Sequence, residues 1–185
     1  MKHREILTKL IDEIVAFDPD CSILIGGSLS RGEERQDSDI DLHVWLSKEP
    51  DPGQFNDLIN EDTRAHWHVC TERDGVKIDI GWRLFDALLE EIPANVAMVY
   101  YPCVLWEIAR DPSGKLESHI AAMQRWLDRH PWVVEVWGKQ YEDMCRHKKD
   151  PSHPLAYTER EWYAHLQGLI NQRKREGEDP GNWVQ

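Results

Sequence analysis

Hydrophobic and polar residues follow two different periods along the first part of the chain, and each period predicts a different kind of element. Apolar residues recur three and four positions apart from residue 3 to residue 17, which predicts an amphipathic helix that ends at Asp18. The almost wholly apolar run 22–26 predicts a buried strand. Residues 40–46 alternate strictly, which predicts a second strand with one apolar face. Its other face carries Asp41, His43 and Trp45.

A β-hairpin is predicted next along the chain. Two runs rich in β-branched and aromatic residues, 64–71 and 76–82, flank Asp74-Gly75, which is the signal of a two-residue type I′ turn. This turn sets a register in which Cys70 lies opposite Asp79, and it leaves one face of the hairpin apolar. The polar face then carries His66, His68, Cys70, Lys77 and Asp79.

The character of the chain changes near residue 112, because the periodicity is helical from there to the end. The helices predicted in this part cover residues 116–130, 132–147 and 155–175. The sequence therefore predicts an α/β (α+β) protein of two domains. Residues 1–112 form the first domain, which contains the strands, and residues 113–185 form a C-terminal helical bundle.

Composition and charge narrow the class of protein. Of 185 residues, 41% are hydrophobic and 30% are charged, and the formal net charge is −12, which is the profile of a soluble globular protein. The acidic excess argues against nucleic acid as a partner, because binding to a phosphate backbone depends on lysine and arginine. No apolar run reaches the roughly 20 residues that a membrane span needs, and no secretion signal is present. We therefore expect a cytoplasmic protein without a membrane partner.

Four cysteines are spread along the chain without a Cys-x-x-Cys pair: Cys21, Cys70, Cys103 and Cys145. This spacing gives no support to a zinc site or to a thioredoxin-like redox site. We expect reduced thiols that serve mostly in packing.

Three aspartates carry the predicted chemistry. Asp39 and Asp41 lie two positions apart on an extended segment, so both carboxylates point to the same face. Adjacent carboxylates repel each other, and a multivalent cation stabilises both in the ionised form. Oxygen ligands of this type suit Mg²⁺. Asp79 can join them from the polar face of the hairpin, and three acidic groups around two metal ions suit an in-line displacement at phosphorus.

A glycine-serine pair precedes these aspartates. Gly27 and Ser28 follow the first predicted strand, where glycine lets the backbone approach a bound group and the serine hydroxyl can donate to phosphate oxygens. Arg31, one turn further, offers a positive charge to the same oxygens, although it can equally pair with Glu33 or Glu34 on a helix surface. A glycine-serine pair on its own is more often part of a plain tight turn than of a phosphate site. An Asp-x-Asp pair on its own is more often part of a solvated turn than of a metal site.

Together these segments resemble a known family. The sequences GSLSRG at residues 27–32, SDIDL at 38–42 and KIDI at 77–80 are similar to motifs of the DNA polymerase β-like nucleotidyltransferase superfamily, and they occur in the same order. The likeness is closest to small bacterial members, namely the antibiotic nucleotidyltransferases and the minimal nucleotidyltransferases. It covers about residues 1–112.

The resemblance implies a short mixed β-sheet backed by helices. It also implies transfer of a nucleoside monophosphate from a nucleoside triphosphate to a hydroxyl, with Mg²⁺ as cofactor. The nucleotide-binding residues that it implies are Gly27, Ser28 and Arg31. The catalytic metal ligands that it implies are Asp39, Asp41 and Asp79. Of these, Asp79 is our candidate for accepting the proton of the incoming hydroxyl.

The acceptor of the nucleotidyl group stays open between three hypotheses. A strongly acidic protein attracts cations, which favours a small-molecule acceptor such as a polycationic antibiotic. The alternatives are a minimal nucleotidyltransferase that modifies a partner protein, of the toxin–antitoxin type, and a catalytically idle nucleotide-binding protein. If the acceptor site needs more helix than this chain supplies, a homodimer would complete the cleft.

We expect the histidines and the tryptophan near the site to have structural roles. His43, His66 and His68 are interpreted as pocket-wall or hydrogen-bonded histidines and not as metal ligands, because Mg²⁺ prefers oxygen. Trp106 is interpreted as a core residue and not as a platform for a nucleobase.

Overall fold

The computed structural model describes the sheet domain and the start of the helical part. The described residues are 2–51, 53, 56–60, 68–85 and 106–132, with positions 168, 171, 172 and 175–177. Residues 64–67 of the predicted hairpin lie outside the described residues, and so do almost all of the predicted helices at 132–147 and 155–175.

Three helices and five strands lie wholly within the described residues. The helices are α1 (Lys2–Phe17), α2 (Gly27–Ser30) and α3 (Lys115–Arg129). The strands are β1 (Ser22–Ile25), β2 (Ile40–Leu46), β3 (His68–Arg73), β4 (Val76–Leu84) and β5 (Glu107–Arg110). The predicted first helix, the predicted strands at 22–26 and 40–46 and the predicted helix at 116–130 are confirmed. None of the described helices has the length and the apolar character that crossing a membrane requires.

The five strands form one mixed sheet in the order β3-β4-β2-β1-β5. Strands β2 and β4 run parallel, whereas β1–β2, β1–β5 and β3–β4 are antiparallel pairs. The predicted α+β class with a mixed sheet is therefore confirmed. Of the predicted C-terminal bundle, the described residues contain α3 and only isolated positions of the other two helices.

The hydrophobic core lies on one face of the sheet, where α1 packs. Leu10 and Ile14 of α1 are buried in the same cluster as the apolar side chains of the central strands. The strict alternation of β2 decides which of its residues join this cluster: Ile40, Leu42, Val44 and Leu46. The opposite face carries Asp41, His43 and the polar residues of β3 and β4, together with the buried side chains of Leu24 and Trp45.

A buried carboxylate joins the end of α1 to the end of β2. Asp18, the residue at which the sequence predicts the helix to end, follows the last residue of α1 and is buried. Its carboxylate accepts hydrogen bonds from the Ser47 backbone N–H at 2.7 Å and from the Ser47 hydroxyl at 2.9 Å. It also accepts one from the Asp20 backbone N–H at 3.1 Å. Asp18 thus has a structural role.

The predicted hairpin register is confirmed. Cys70 pairs with Asp79, and His68 pairs with Gly81. Asp74 and Gly75 both adopt positive φ angles, of 53° and 75°, as a type I′ turn requires. The turn therefore determines which side chains of β3 and β4 face each other.

The described residues divide between two compact units. The first lies within Met1–Glu91 and Leu105–His119 and contains the whole β-sheet. The second lies within Ile92–Val104 and Ile120–Gln185. The candidate site belongs entirely to the first unit, and the predicted domain boundary at residue 112 stays a prediction.

Candidate active site

A row of polar side chains crosses three neighbouring strands on the open face of the sheet. Cys70 of β3 lies opposite Asp79 of β4, which in turn lies beside Asp41 of β2 in the parallel pairing. Neighbouring strands are about 4.8 Å apart, and register partners point to the same face. The sheet therefore brings two of the three predicted carboxylates side by side. Asp39 is exposed and lies just before β2, two residues from Asp41.

The turn after β1 lies directly against the Asp41 carboxylate. Gly27 has a φ of 61°, in the left-handed region, where a side chain is strained. A Cβ atom added to Gly27 would lie 3.0 Å from the Asp41 Cγ and far inside van der Waals contact with Oδ2. The neighbouring Gly26 N–H donates to the Asp41 carbonyl at 2.8 Å. Glycine at position 27 is therefore what allows the turn and this carboxylate to approach each other.

Ser28 is tied to the loop that leads to the aspartates. Its hydroxyl donates to the Ser38 Oγ at 3.2 Å, and this Oγ also accepts from the Arg35 backbone N–H at 2.9 Å. The Ser38 carbonyl, in turn, is 3.0 Å from the Nε2 of the buried His3. Ser38 precedes Asp39, so these bonds fix the start of the Asp-x-Asp segment relative to α2.

Arg31 is held close to the same turn. Its Nη1 donates to the Gly27 carbonyl at 2.7 Å, and its Nε pairs with the Glu33 carboxylate at 2.8 Å. The sequence left open whether Arg31 pairs with a neighbouring glutamate, and in this structure it pairs with Glu33. The guanidinium nevertheless stays beside the glycine turn, where its role in binding phosphate stays a prediction.

Asp79 contacts both polar residues of β3 that share its face. His68 Nε2 donates to Asp79 Oδ1, because a carboxylate can only accept. The Cys70 thiol lies 3.9 Å from Asp79 Oδ2 and 3.8 Å from His68 Nδ1. Partial desolvation, and after it the charge and the hydrogen bond of Asp79, raise the pKa of the Cys70 thiol. The interpretation of His68 as a hydrogen-bonded histidine is confirmed.

These contacts determine which possible metal ligands lie close together. Among the described residues, one group of three has its ligand atoms all within 4.8 Å of one another, and it consists of His68, Cys70 and Asp79. The predicted trio of aspartates is not such a group, since Asp79 contacts β3 and the Asp41 carboxylate lies against Gly27.

A second row on the same face is aromatic. His43 of β2 lies beside Gly81 of β4, and its ring stacks on Trp106 with centroids 4.5 Å apart. Burial, followed by the positive charges of Arg83 and His68, lowers the pKa of His43 from 6.5 to about 4. His43 is therefore a neutral, half-buried wall beside the carboxylates.

Two residues at the site have roles that the sequence did not indicate. Trp106 was interpreted as core, yet it lies just before β5, is only half-buried and stacks on the site histidine. Ser38 received no role, although it links Ser28 to the Asp-x-Asp segment. The sequence predicts no strand after Trp106, so nothing in it indicated a contact between Trp106 and His43.

The ligand chemistry of the three aspartates, although not the present positions of their carboxylates, fits the divalent cation that the resemblance implies. Asp41 and Asp79 lie side by side on parallel strands, and Asp39 follows two residues before Asp41. All three offer carboxylate oxygens, which are the ligands that Mg²⁺ prefers. Like charges on neighbouring strands also repel, and a divalent cation would relieve this repulsion.

The class of the domain follows from its match to a known family. Residues 7–97 match the family of nucleotidyltransferase domains, and this stretch includes Gly27, Asp41 and Asp79. The chain therefore carries a nucleotidyltransferase domain, and its predicted membership of the DNA polymerase β-like nucleotidyltransferase superfamily is confirmed. A domain of this kind acts as a transferase on a nucleoside triphosphate. Among curated proteins, no sequence matches this chain.

Proposed function

We propose that the protein transfers a nucleoside monophosphate from a nucleoside triphosphate to a hydroxyl group of a small-molecule acceptor. The observation that carries the proposal is the pairing of Asp41 with Asp79 on adjacent parallel strands, next to the glycine turn at Gly27. Two carboxylates beside a tight backbone turn suit the binding of a triphosphate through divalent cations.

In this proposal, Asp39, Asp41 and Asp79 hold two Mg²⁺ ions. When bound, these ions neutralise charge on the triphosphate and lower the pKa of the acceptor hydroxyl. Asp79 has to exchange its hydrogen bond with His68 for this role, which its half-exposed side chain permits. Three carboxylates suit Mg²⁺, because this ion prefers oxygen ligands.

The transfer itself is an in-line displacement at the α-phosphorus. The acceptor oxygen forms a bond to this phosphorus while the bond between phosphorus and the oxygen that bridges to the β-phosphate breaks, and pyrophosphate leaves. The hydroxyl proton passes to the Asp79 carboxylate. Gly27, Ser28 and Arg31 bind the β- and γ-phosphates, which orients the leaving group. Ser28 and Arg31 would exchange their present partners, Ser38 and Glu33, for phosphate oxygens.

The proposed acceptor is cationic, and a polycationic antibiotic is an example of the class. The support is the formal net charge of −12, because an acidic protein attracts cations and repels polyanions. If the acceptor site needs more helix than one chain supplies, the second chain of a homodimer would complete it.

The test is an assay with labelled nucleoside triphosphate, Mg²⁺ and a panel of aminoglycosides, lincosamides and candidate protein acceptors. Label that appears on a small molecule supports the proposal. Label on a protein favours the alternative of a protein-modifying minimal nucleotidyltransferase. Binding of the nucleotide without turnover over the whole panel favours an idle nucleotide-binding protein.

Variants connect the activity to the proposed site. Asp39→Asn and Asp41→Asn keep the size of each side chain and remove its charge, and we expect each to lower transfer at least about 100-fold with the fold intact. The matched control is Asp37→Asn in the same loop, where a highly exposed carboxylate pairs with Arg35. This control should keep full activity. Undiminished transfer by Asp41→Asn would refute the assignment.

A further inference from the structure

The hairpin carries a second group of possible metal ligands, which shares Asp79 with the predicted carboxylates. His68 and Cys70 are two residues apart on β3, so their side chains share a face, and Asp79 is the cross-strand partner of Cys70. The group thus combines an imidazole, a thiol and a carboxylate. Its members lie together because of the hairpin register, which the type I′ turn fixes.

We propose that His68, Cys70 and Asp79 bind a thiophilic divalent cation, with zinc as the physiological example. Zinc takes nitrogen, sulfur and oxygen ligands at 2.0–2.3 Å, and tetrahedral geometry then separates nitrogen and sulfur ligands by about 3.6 Å. The Cys70 Sγ lies 3.8 Å from His68 Nδ1 and 3.9 Å from Asp79 Oδ2. Small rotations of the side chains therefore suffice to close the group around an ion.

The side chains of the group are also accessible to an ion from solvent. The His68 and Asp79 side chains are 49% and 44% exposed. At present the prospective ligands contact one another, with His68 donating to Asp79 and the Cys70 thiol next to both. A bound cation would replace these contacts by metal–ligand bonds. Three protein ligands leave a fourth position for water.

The group discriminates between hard and soft cations. A thiolate favours zinc over Mg²⁺, whereas carboxylates alone favour Mg²⁺. Asp79 belongs both to this group and to the proposed catalytic carboxylates, so the two kinds of ion would compete for it. We therefore infer that zinc inhibits nucleotidyl transfer by occupying Asp79, an inference that rests on the proposed function.

Cobalt titration of the full-length, chelator-treated and reduced protein tests the site without any need for activity. Bound Co²⁺ should give a thiolate-to-cobalt charge-transfer band and tetrahedral d–d bands at one equivalent, and zinc should abolish both. Cys70→Ser should remove the charge-transfer band, and Cys70→Ser and His68→Asn should each weaken zinc binding at least about tenfold. Glu72→Gln, which changes an exposed carboxylate on the same strand, should leave the spectrum unchanged.

Two outcomes would overturn the site. One is a cobalt complex without the charge-transfer band, and the other is equal zinc affinity in the wild type and Cys70→Ser. Thermal melting of each variant shows whether it is folded, and because these side chains are exposed we expect unchanged melting temperatures.

The inhibition is measured separately, as transfer at saturating Mg²⁺ with and without micromolar zinc. Zinc should inhibit the wild type and should inhibit Cys70→Ser at least about tenfold more weakly. Equal inhibition of both proteins would contradict competition through this group. If the proposed function fails and no transfer is found, the cobalt spectrum and the zinc affinities still decide whether the site exists.

Discussion

Replacing Gly27 by alanine tests the close approach of the glycine turn to the Asp41 carboxylate. The substitution has two separate costs. One is backbone strain, because Gly27 has a φ of 61°. The other is steric, because the added Cβ would meet the carboxylate of Asp41, with Cγ only 3.0 Å away. The carboxylate would have to rotate out of its position beside the turn.

A second glycine separates these two costs. Gly32 has almost the same φ, 65°, but a Cβ added there would have no atom within 4 Å. A left-handed alanine costs roughly 1–2 kcal/mol, of which about 0.4–1 kcal/mol is offset by the lower entropy of the unfolded chain. We therefore expect Gly32→Ala to lower the free energy of unfolding by about 1 kcal/mol. Overpacking adds about 1–3 kcal/mol at Gly27, which gives a total of about 2–4 kcal/mol.

The measurement is urea unfolding, followed by the fluorescence of the nine tryptophans. Combining Gly27→Ala with Asp41→Ala completes a double-mutant cycle, since the second change removes the carboxylate that the new methyl group meets. The cycle should return a coupling of about 1–3 kcal/mol, which is the steric part alone. Equal destabilisation by Gly27→Ala and Gly32→Ala, with no coupling to Asp41, would refute the reasoning.

Two further predictions concern the half-buried His43 and the buried Asp18. The pKa of His43 is about 4 in the folded protein and 6.5 in the unfolded reference, so the unfolded chain binds the extra proton and stability falls as the pH drops through this window. Between pH 7.5 and pH 5 the wild type should lose about 2 kcal/mol more than His43→Gln, measured by urea unfolding; equal losses would contradict the lowered pKa. Asp18→Ala leaves the Ser47 N–H and hydroxyl without their acceptor and should cost about 2–3 kcal/mol of unfolding free energy. Asp20→Ala, at an exposed neighbouring side chain, should change it by less than about 0.5 kcal/mol, and similar urea midpoints for the two variants would exclude this role of Asp18.

Local signals predicted the hairpin and the first strands because short-range geometry determines them. Asp74-Gly75 accommodates the positive φ angles of a type I′ turn, and that turn alone sets Cys70 opposite Asp79. The alternation of residues 40–46 likewise determined which side chains of β2 enter the core. In both cases the information lies within a few consecutive residues.

The parallel pairing of β2 with β4 has a different origin. It joins segments almost forty residues apart, and no turn or spacing within either strand specifies it. The hairpin pattern predicted only that Asp79 can join the face of Asp41, and it did not predict the strand pairing that brings the two residues side by side. The same limit applies to Trp106, whose contact with His43 depends on where β5 joins the sheet.

The sequence also did not predict the hydrogen-bond partners of the polar side chains. Arg31 bonds to Gly27 and Glu33, and Ser28 bonds to Ser38, because rotamers and loop conformations place these groups within reach. Several partners were compatible with the spacing of each residue. A hydrogen bond of roughly 1 kcal/mol decides between them only once the backbone is fixed.

Three glycines on the open face of the sheet show how a local sequence feature gains its meaning from the strand pairing. A Cβ at Gly27 would meet the Asp41 carboxylate, one at Gly81 would lie 3.3 Å from His43 Nδ1, and one at Gly26 would lie 3.3 Å from the Trp106 ring. Each glycine therefore leaves space for one side chain of the candidate site. The sequence alone shows only three glycines near strands. The strand register shows that each glycine lies next to Asp41, His43 or Trp106, where a side chain would collide with that residue. A larger residue at any of the three would change the site before it changed the core, because the core lies on the opposite face of the sheet.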